Sequence, residues 1–207
     1  MPAAHAESPK GITAEHLRKV WRISEEVAQR TLDVTTQLNK QDADTSLSYR
    51  FGTNNRSLWY KRISSLFYND IFFSKQVISK REFSMMQLFV SNKGFVKVYG
   101  MKSEKEYINA LKRLCKEVGA PKAFIFDSAR TKKSNKVRQF LNKVGTTFCV
   151  LEGQTQHADR SELYIVLMKS GVGKDMQESK SPMQIWCYAF ERRASVLNLT
   201  TNNLFQL

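Results

Sequence analysis

The chain has 207 residues, 42% of them hydrophobic and 11% aromatic, enough to bury the core of one domain of ordinary size with a small extra module. Its 33 lysines and arginines against 19 acids leave a formal charge of +14, which points to a polyanionic partner, nucleic acid ahead of acidic lipid. No apolar run approaches the roughly 20 residues of a membrane span, the opening MPAAHAESPKG lacks the basic start and apolar run of a secretory signal, and His5, His16 and His157 have neither metal-ligand spacing nor a Cys-x-x-Cys to join, so a soluble intracellular protein without structural zinc is expected.

Residues 1–11 are small and polar and read as a flexible tail. From 12 to 37 the pattern is that of a helical module. Thr13 caps a helix carrying Leu17, Val20 and Trp21, and Ser24 caps a second that opens on Glu25 and Glu26 and carries Val27, Ala28 and Leu32. Two short helices joined around Arg22 and Ile23 make either a helix-turn-helix-like module, with Gln29 and Arg30 offered to DNA, or a plain helical hairpin; Glu25 and Glu26 would face phosphate badly and favour the hairpin. Residues 38–60 are polar, with a Gly-Thr-Asn-Asn turn, and suit a linker.

Apolar, β-rich runs follow at about 64–73, 84–91 and 95–100, the last two joined by Ser91-Asn92-Lys93-Gly94, a hairpin signal. A helix is predicted from about 103 to 118, with Glu104 and Glu106 in its first turn, Tyr107, Leu111 and Leu114 on one face and Gly119 as its stop. Then come a strand at 122–126, a helix at about 134–144, a strand at 147–151, and helices at about 159–177 and 182–197. Three strands in a meander followed by strand and helix alternation predict an α/β fold: a mixed five-stranded sheet flanked by helices, in the order of ribonuclease-H-like folds. That core is assigned to 61–180, and 181–207 to a C-terminal helix and truncated extension. Cys115, Cys149 and Cys187 are odd in number and are expected as reduced, buried thiols, while Glu191-Arg192-Arg193 is expected as an exposed, ion-paired face.

Three acids stand in differently patterned segments: Asp70 in SLFYNDIFFS, Asp127 closing KAFIFD, and Glu162 in ADRSELYIVLMK, with 34 residues between the last two. A carboxylate beside Phe67, Ile71 and Phe72, or after Phe124, Ile125 and Phe126, is costly to bury unpaired, by several kcal/mol, and a divalent cation offsets that cost. Taken singly, each acid reads as a strand cap or the partner of a lysine or arginine. As a set in this order they read as a triad for two metal ions, roughly 3.5–4 Å apart in such sites. Along the first strand Leu66, Tyr68, Asp70 and Phe72 share a face. Glu162, Ile165 and Lys169 share a face of the later helix, so Lys169 is a candidate phosphate contact. The segment SARTKKSNKVRQFLNK, residues 128–143, holds six basic residues and no acid; Arg130, Lys132, Lys133, Lys136 and Arg138 are candidates to carry a DNA backbone. Asp159, the rival of Glu162, reads as the helix N-cap, and His157 as a surface loop residue.

With those residues in place, FYNDIFFS, FVSNKGFVKVYGMKS, CKEVGAPKAFIFDSAR, ADRSELYIVLMK and WCYAFERRASVLNLT, from about Asp70 to Leu207, resemble the integrase catalytic core of copia-like long-terminal-repeat retrotransposons, in the retroviral-type integrase superfamily. HLRKVWRISEEVAQRTLDVTTQ resembles the region ahead of that core. The resemblance implies that Asp70, Asp127 and Glu162 are catalytic and bind two magnesium or manganese ions, and that the activity is DNA 3′-end processing followed by strand transfer, that of a polynucleotidyl transferase. It implies DNA partners, both element ends and target duplex, a homo-oligomer when active, no membrane, and a place in the nucleus or in a cytoplasmic retroelement particle. Ser128-Ala129-Arg130 stands where the family has Asn-Gly and then Glu-Phe, His157-Ala158-Asp159 where it has Gln-Asn-Gly, and no His-His-Cys-Cys module is found. Two other functions stay open: a catalytically inactive DNA-binding remnant of a retroelement polyprotein, and a ribonuclease-H-type nuclease, which usually carries a fourth acid that has no candidate here.

Overall fold

The computed structural model describes residues 12–34, 60–74, 77–126, 134–150 and 160–200. In chain order they form α1 (Ala14–Trp21), α2 (Glu25–Val34), β1 (Arg62–Phe73), β2 (Met85–Ser91), β3 (Val96–Met101), α3 (Tyr107–Glu117), β4 (Ala120–Phe126), α4 (Asn135–Val144), β5 (Thr147–Val150), α5 (Arg160–Glu178) and α6 (Trp186–Leu199). Single 3-10 turns at Glu104–Glu106 and Met183–Ile185 lead into α3 and α6.

The strands lie in the order β3-β2-β1-β4-β5. β2 pairs antiparallel with β1 and β3, while β4 pairs parallel with β1 and β5, the expected mixed sheet with the first strand central. Alternation along β1 and β2 feeds two cores. Phe67, Phe89, Tyr107, Leu111, Phe124, Phe126 and Leu141 hold α3 and α4 on one face; Phe72, Met86, Leu88, Tyr164, Met168, Trp186 and Phe190 hold α5 and α6 on the other. β2 is buried along its whole length because helices cover both of its faces, and each such Leu, Met or Phe stabilises by about 1.5–3 kcal/mol on full burial.

Local signals set the joints. At the β2–β3 turn Gly94 takes a φ of +84° and donates its N–H to the Ser91 carbonyl at 3.0 Å, and the Ser91 hydroxyl accepts from the Phe95 N–H at 3.0 Å. Gly119 ends α3 at a φ of +130°, where a Cβ would stand 2.7 Å from the Lys61 carbonyl oxygen, so no other residue fits between α3 and β4. Thr13 and Ser24 cap α1 and α2 through the N–H groups of His16 and Val27.

The helical hairpin α1–α2 rests on the corner of α5 and α6 by its turn. Arg22, left-handed at a φ of +52°, donates to the Asp175 carbonyl and pairs with Glu178 at 3.1 Å, while Arg192 donates to the Val20 carbonyl. Arg30 pairs with Glu26 one turn back, and Gln29 bonds Asp33 at 3.0 Å.

Two sequence expectations are corrected. Arg193 is not on an exposed face but is 7% exposed, its guanidinium forked onto the buried Asp175 carboxylate at 3.0 and 2.5 Å. Cys149 is exposed, whereas Cys115 and Cys187 are buried as expected; the reason is that β5 is an edge strand, and Thr147, Cys149 and Val150 stand in solvent. Among the described residues no helix is long and apolar enough to cross a membrane.

Candidate active site

β1 brings Asp70 to the α5/α6 side of the sheet, one position after Asn69 on the opposite side. Asp70 pairs with Leu88 of β2, is half-buried, and its Oδ1 accepts the Ile71 N–H at 2.7 Å. Two wholly buried amides hold the strand here. Asn69 donates to the Ile125 carbonyl of β4 at 2.9 Å and accepts from the Tyr107 hydroxyl at 3.2 Å; Gln87 donates to the main-chain oxygens of Asp70 and Leu88 at 3.0 and 2.8 Å.

Glu162 lies in the first turn of α5. That helix presses Tyr164, Ile165, Met168 and Val172 into the second core, and its start is fastened by Arg160, which donates to the Asn92 carbonyl in the β2–β3 turn at 2.7 Å. Asp70 and Glu162 thereby line one cavity of about 340 Å³, together with Ile71, Phe72, Phe73, Ile165, Val166 and Lys169. The Lys169 ammonium stands 5.6 Å from the centre of the Phe72 ring, a cation set two turns beyond the carboxylate.

Asp70, Glu162 and Lys169 are thus brought together. Asp127, Arg130, Lys132, Lys133, His157 and Asp159 lie outside the described residues; β4 ends at Phe126, the register partner of Asn69, and Asp127 is next in the chain. Lys136 and Arg138 are exposed on α4, which packs on the face of the sheet opposite Asp70, and Arg138 stands 5.4 Å over the Phe148 ring. Sequence reasoning missed Asn69, Gln87 and Arg160; the one available signal was an uncharged amide set out of phase with Asp70 inside the apolar run FYNDIFF.

Two carboxylates on rigid elements with a lysine beside them form a hard-oxygen donor pair suited to magnesium or manganese next to an anion contact. Among the described residues no group of three His, Cys, Asp or Glu converges.

No known protein family matches the sequence, and no curated protein does. Among solved structures the chain is similar to the HTLV-2 integrase catalytic core domain in complex with magnesium, in its trimeric form, at 16% identity and a TM-score of 0.50 over 64% of this chain and 84% of that one. It is also similar to a simian T-cell lymphotropic virus intasome chain, solved in complex with PP2A regulatory subunit B56 gamma, at 16% identity and a TM-score of 0.50 over 72% of this chain and 53% of that one. It therefore spans about half the length of that second chain. At this identity the likeness speaks of architecture, and with the sheet order and flanking helices it gives the protein the ribonuclease-H-like fold of retroviral integrase catalytic cores.

Proposed function

We propose that the chain is a DNA polynucleotidyl transferase core of the integrase type, in which Asp70, Asp127 and Glu162 hold two magnesium or manganese ions. The observation that carries this reading is the cavity shared by Asp70, on the central strand, and Glu162, on the first turn of α5, in the fold of a magnesium-bound integrase core. When bound, the ions supply activation of the attacking oxygen and stabilisation of the leaving one in a phosphodiester displacement.

The chain's own residues do the rest. β1, locked by Asn69 and Gln87, holds the Asp70 carboxylate in place, and the Arg160 anchor does the same for Glu162. Phe72 and Ile165 form the apolar wall of the cavity. Lys169 holds a phosphate beside the acids, and the +14 charge draws DNA to the surface in a salt-dependent way. From the sequence resemblance we assign the source to a copia-like retrotransposon, working as a homo-oligomer in the nucleus or a cytoplasmic retroelement particle.

The test is nicking and strand transfer on labelled duplex DNA in magnesium or manganese, comparing the wild type with Asp70→Asn, Asp127→Asn and Glu162→Gln. Activity in the wild type and none in the three variants, with unchanged circular dichroism, is expected. Full activity in any variant refutes the triad; a wild type that binds DNA in a salt-sensitive way but never cuts it is the inactive remnant instead.

A further inference from the structure

The cavity that holds Asp70 and Glu162 continues past Lys169. Phe72, Phe73 and Lys169 also line a second, larger hollow of about 600 Å³, which runs from the end of β1 along the C-terminal half of α5 to the start of α6. Its far wall is Met176, Met183, Trp186 and Phe190.

Three features limit what can fill it. The walls are aromatic and fixed: the Trp186 indole donates to the Val77 carbonyl at 2.9 Å and stands edge-on to Phe190 at 6.0 Å between ring centres. Large apolar groups remain uncovered, Phe73 at 52% and Met183 at 54% exposure. Among the described residues the charged ones of the lining are Lys169 and Lys180, with no carboxylate, so the site suits an anion with a flat apolar body. An apolar peptide would satisfy the walls and bring no anion to either lysine, whereas a nucleotide satisfies both.

We propose that this hollow receives a nucleobase unstacked from the DNA strand lying on the Asp70–Glu162 cavity, with the flanking phosphates on Lys169 and Lys180. The proposal rests on the reading of DNA as substrate and adds a preference to it: a base already unpaired enters without the cost of opening a pair, so the protein favours single-stranded ends over blunt duplex. Stacking on aromatic side chains is worth roughly 5- to 150-fold in affinity per base.

The experiment is a fluorescence-anisotropy titration of the full chain with a blunt duplex, the same duplex carrying a three-nucleotide overhang, and the overhang with abasic sites. The overhang is expected to bind at least about fivefold tighter than the blunt end, the gain vanishing with abasic sites and in Phe73→Ala, shrinking in Phe73→Leu, and persisting in Glu162→Gln. Equal affinity for all three DNAs overturns the proposal, as does a preference that Phe73→Ala leaves whole. Self-association of the free chain that Phe73→Ala abolishes would assign the hollow to a second copy and overturn it too. An overhang preference without any cleavage would sink the transferase reading and leave the base site standing; cleavage without the preference would do the reverse.

Discussion

Asp175 offers the sharpest test of what holds the Glu162 helix. Its carboxylate is 6% exposed and meets three arginines: Arg193 by two bonds at 3.0 and 2.5 Å, Arg192 at 3.3 Å and Arg22 at 3.9 Å. Replacing Asp175 with Asn leaves the Arg193 guanidinium, itself 9% exposed, buried among other cations with no counter-charge. Losing one partner of a buried pair costs about 3–5 kcal/mol. Arg193→Ala should cost less, because Asp175 keeps Arg192 and Arg22, and Arg192→Ala less again, about 0–1 kcal/mol, since Arg192 is 45% exposed. The double change Asp175→Leu with Arg193→Met should recover most of the loss, as apolar residues of similar volume often do. Urea unfolding followed by circular dichroism reads all four: with a slope of about 2 kcal/mol per molar, Asp175→Asn lowers the midpoint by about 1.5–2.5 M. A loss below about 1 kcal/mol for Asp175→Asn, or a larger loss for Arg193→Ala than for Asp175→Asn, would refute the hub.

Two glycines of α5 should respond with opposite signs. Gly173 has open space where a Cβ would go, so Gly173→Ala gains about 0.5–1 kcal/mol of helix propensity, whereas a methyl at Gly171 would sit 2.8 Å from the Arg193 Nε and disturb its pairing, so Gly171→Ala melts lower; the reverse order in thermal melts would end that account. Glu117, which burial would raise, is held net below the usual carboxylate range by hydrogen bonds from Lys97 and Tyr99 and the pull of Arg113. A depressed carboxylate contributes stability above its unfolded pKa of about 4.3 and loses it as pH falls through the folded one. The Tm gap between the wild type and Glu117→Gln should therefore narrow from pH 6 to pH 3, and a constant gap contradicts this. Asn69→Leu and Tyr107→Phe, combined in a double-mutant cycle, should show coupling of about 0.5–1.5 kcal/mol through their 3.2 Å bond; additive losses would mean the bond contributes nothing.

The elements were legible because their patterns are local. Period-two apolar runs and the Ser91–Gly94 turn mark β1, β2 and β3 to within about two residues, and Thr13, Ser24 and Gly119 mark helix ends through side chains and backbone angles that act within one turn. The placement of the candidate residues was legible in part for the same reason: a carboxylate inside an apolar run singles out Asp70, and helical spacing joins Glu162 to Lys169. What failed depends on contacts far apart in the chain. Arg193 sits in a charged triplet that looks solvated, and its partner Asp175 lies 18 residues away on another helix, with Gly171 making the room. Cys149 lies in TFCV, which reads as core but is an edge strand with one neighbour. Lys136 and Arg138 are close to Asp127 in sequence, yet α4 carries them to the face of the sheet away from Asp70.

The placement of Asp70 itself needs more than the apolar pattern. β1 carries Phe67, Ile71 and Phe73 in one phase of its alternation and Leu66, Tyr68 and Phe72 in the other, so burial alone distinguishes weakly between registers one residue apart. A slip by one would carry Asp70 to the α3/α4 side, away from Glu162. Asn69 and Gln87 break that near-degeneracy. The Asn69 bonds to Ile125 and Tyr107 and the Gln87 bond to the Asp70 carbonyl exist in one register only, and both side chains are wholly buried. Any slip would leave several amide and hydroxyl groups desolvated and unbonded, at about 1–3 kcal/mol each. Even the native register leaves the Gln87 Oε1 without a partner. A sheet that tolerates an orphaned acceptor on Gln87, opposite Ile71 and one position from the Asp70–Leu88 pair, gives up a little stability to keep one register, the compromise expected if the proposed Asp70 site has to be held in place.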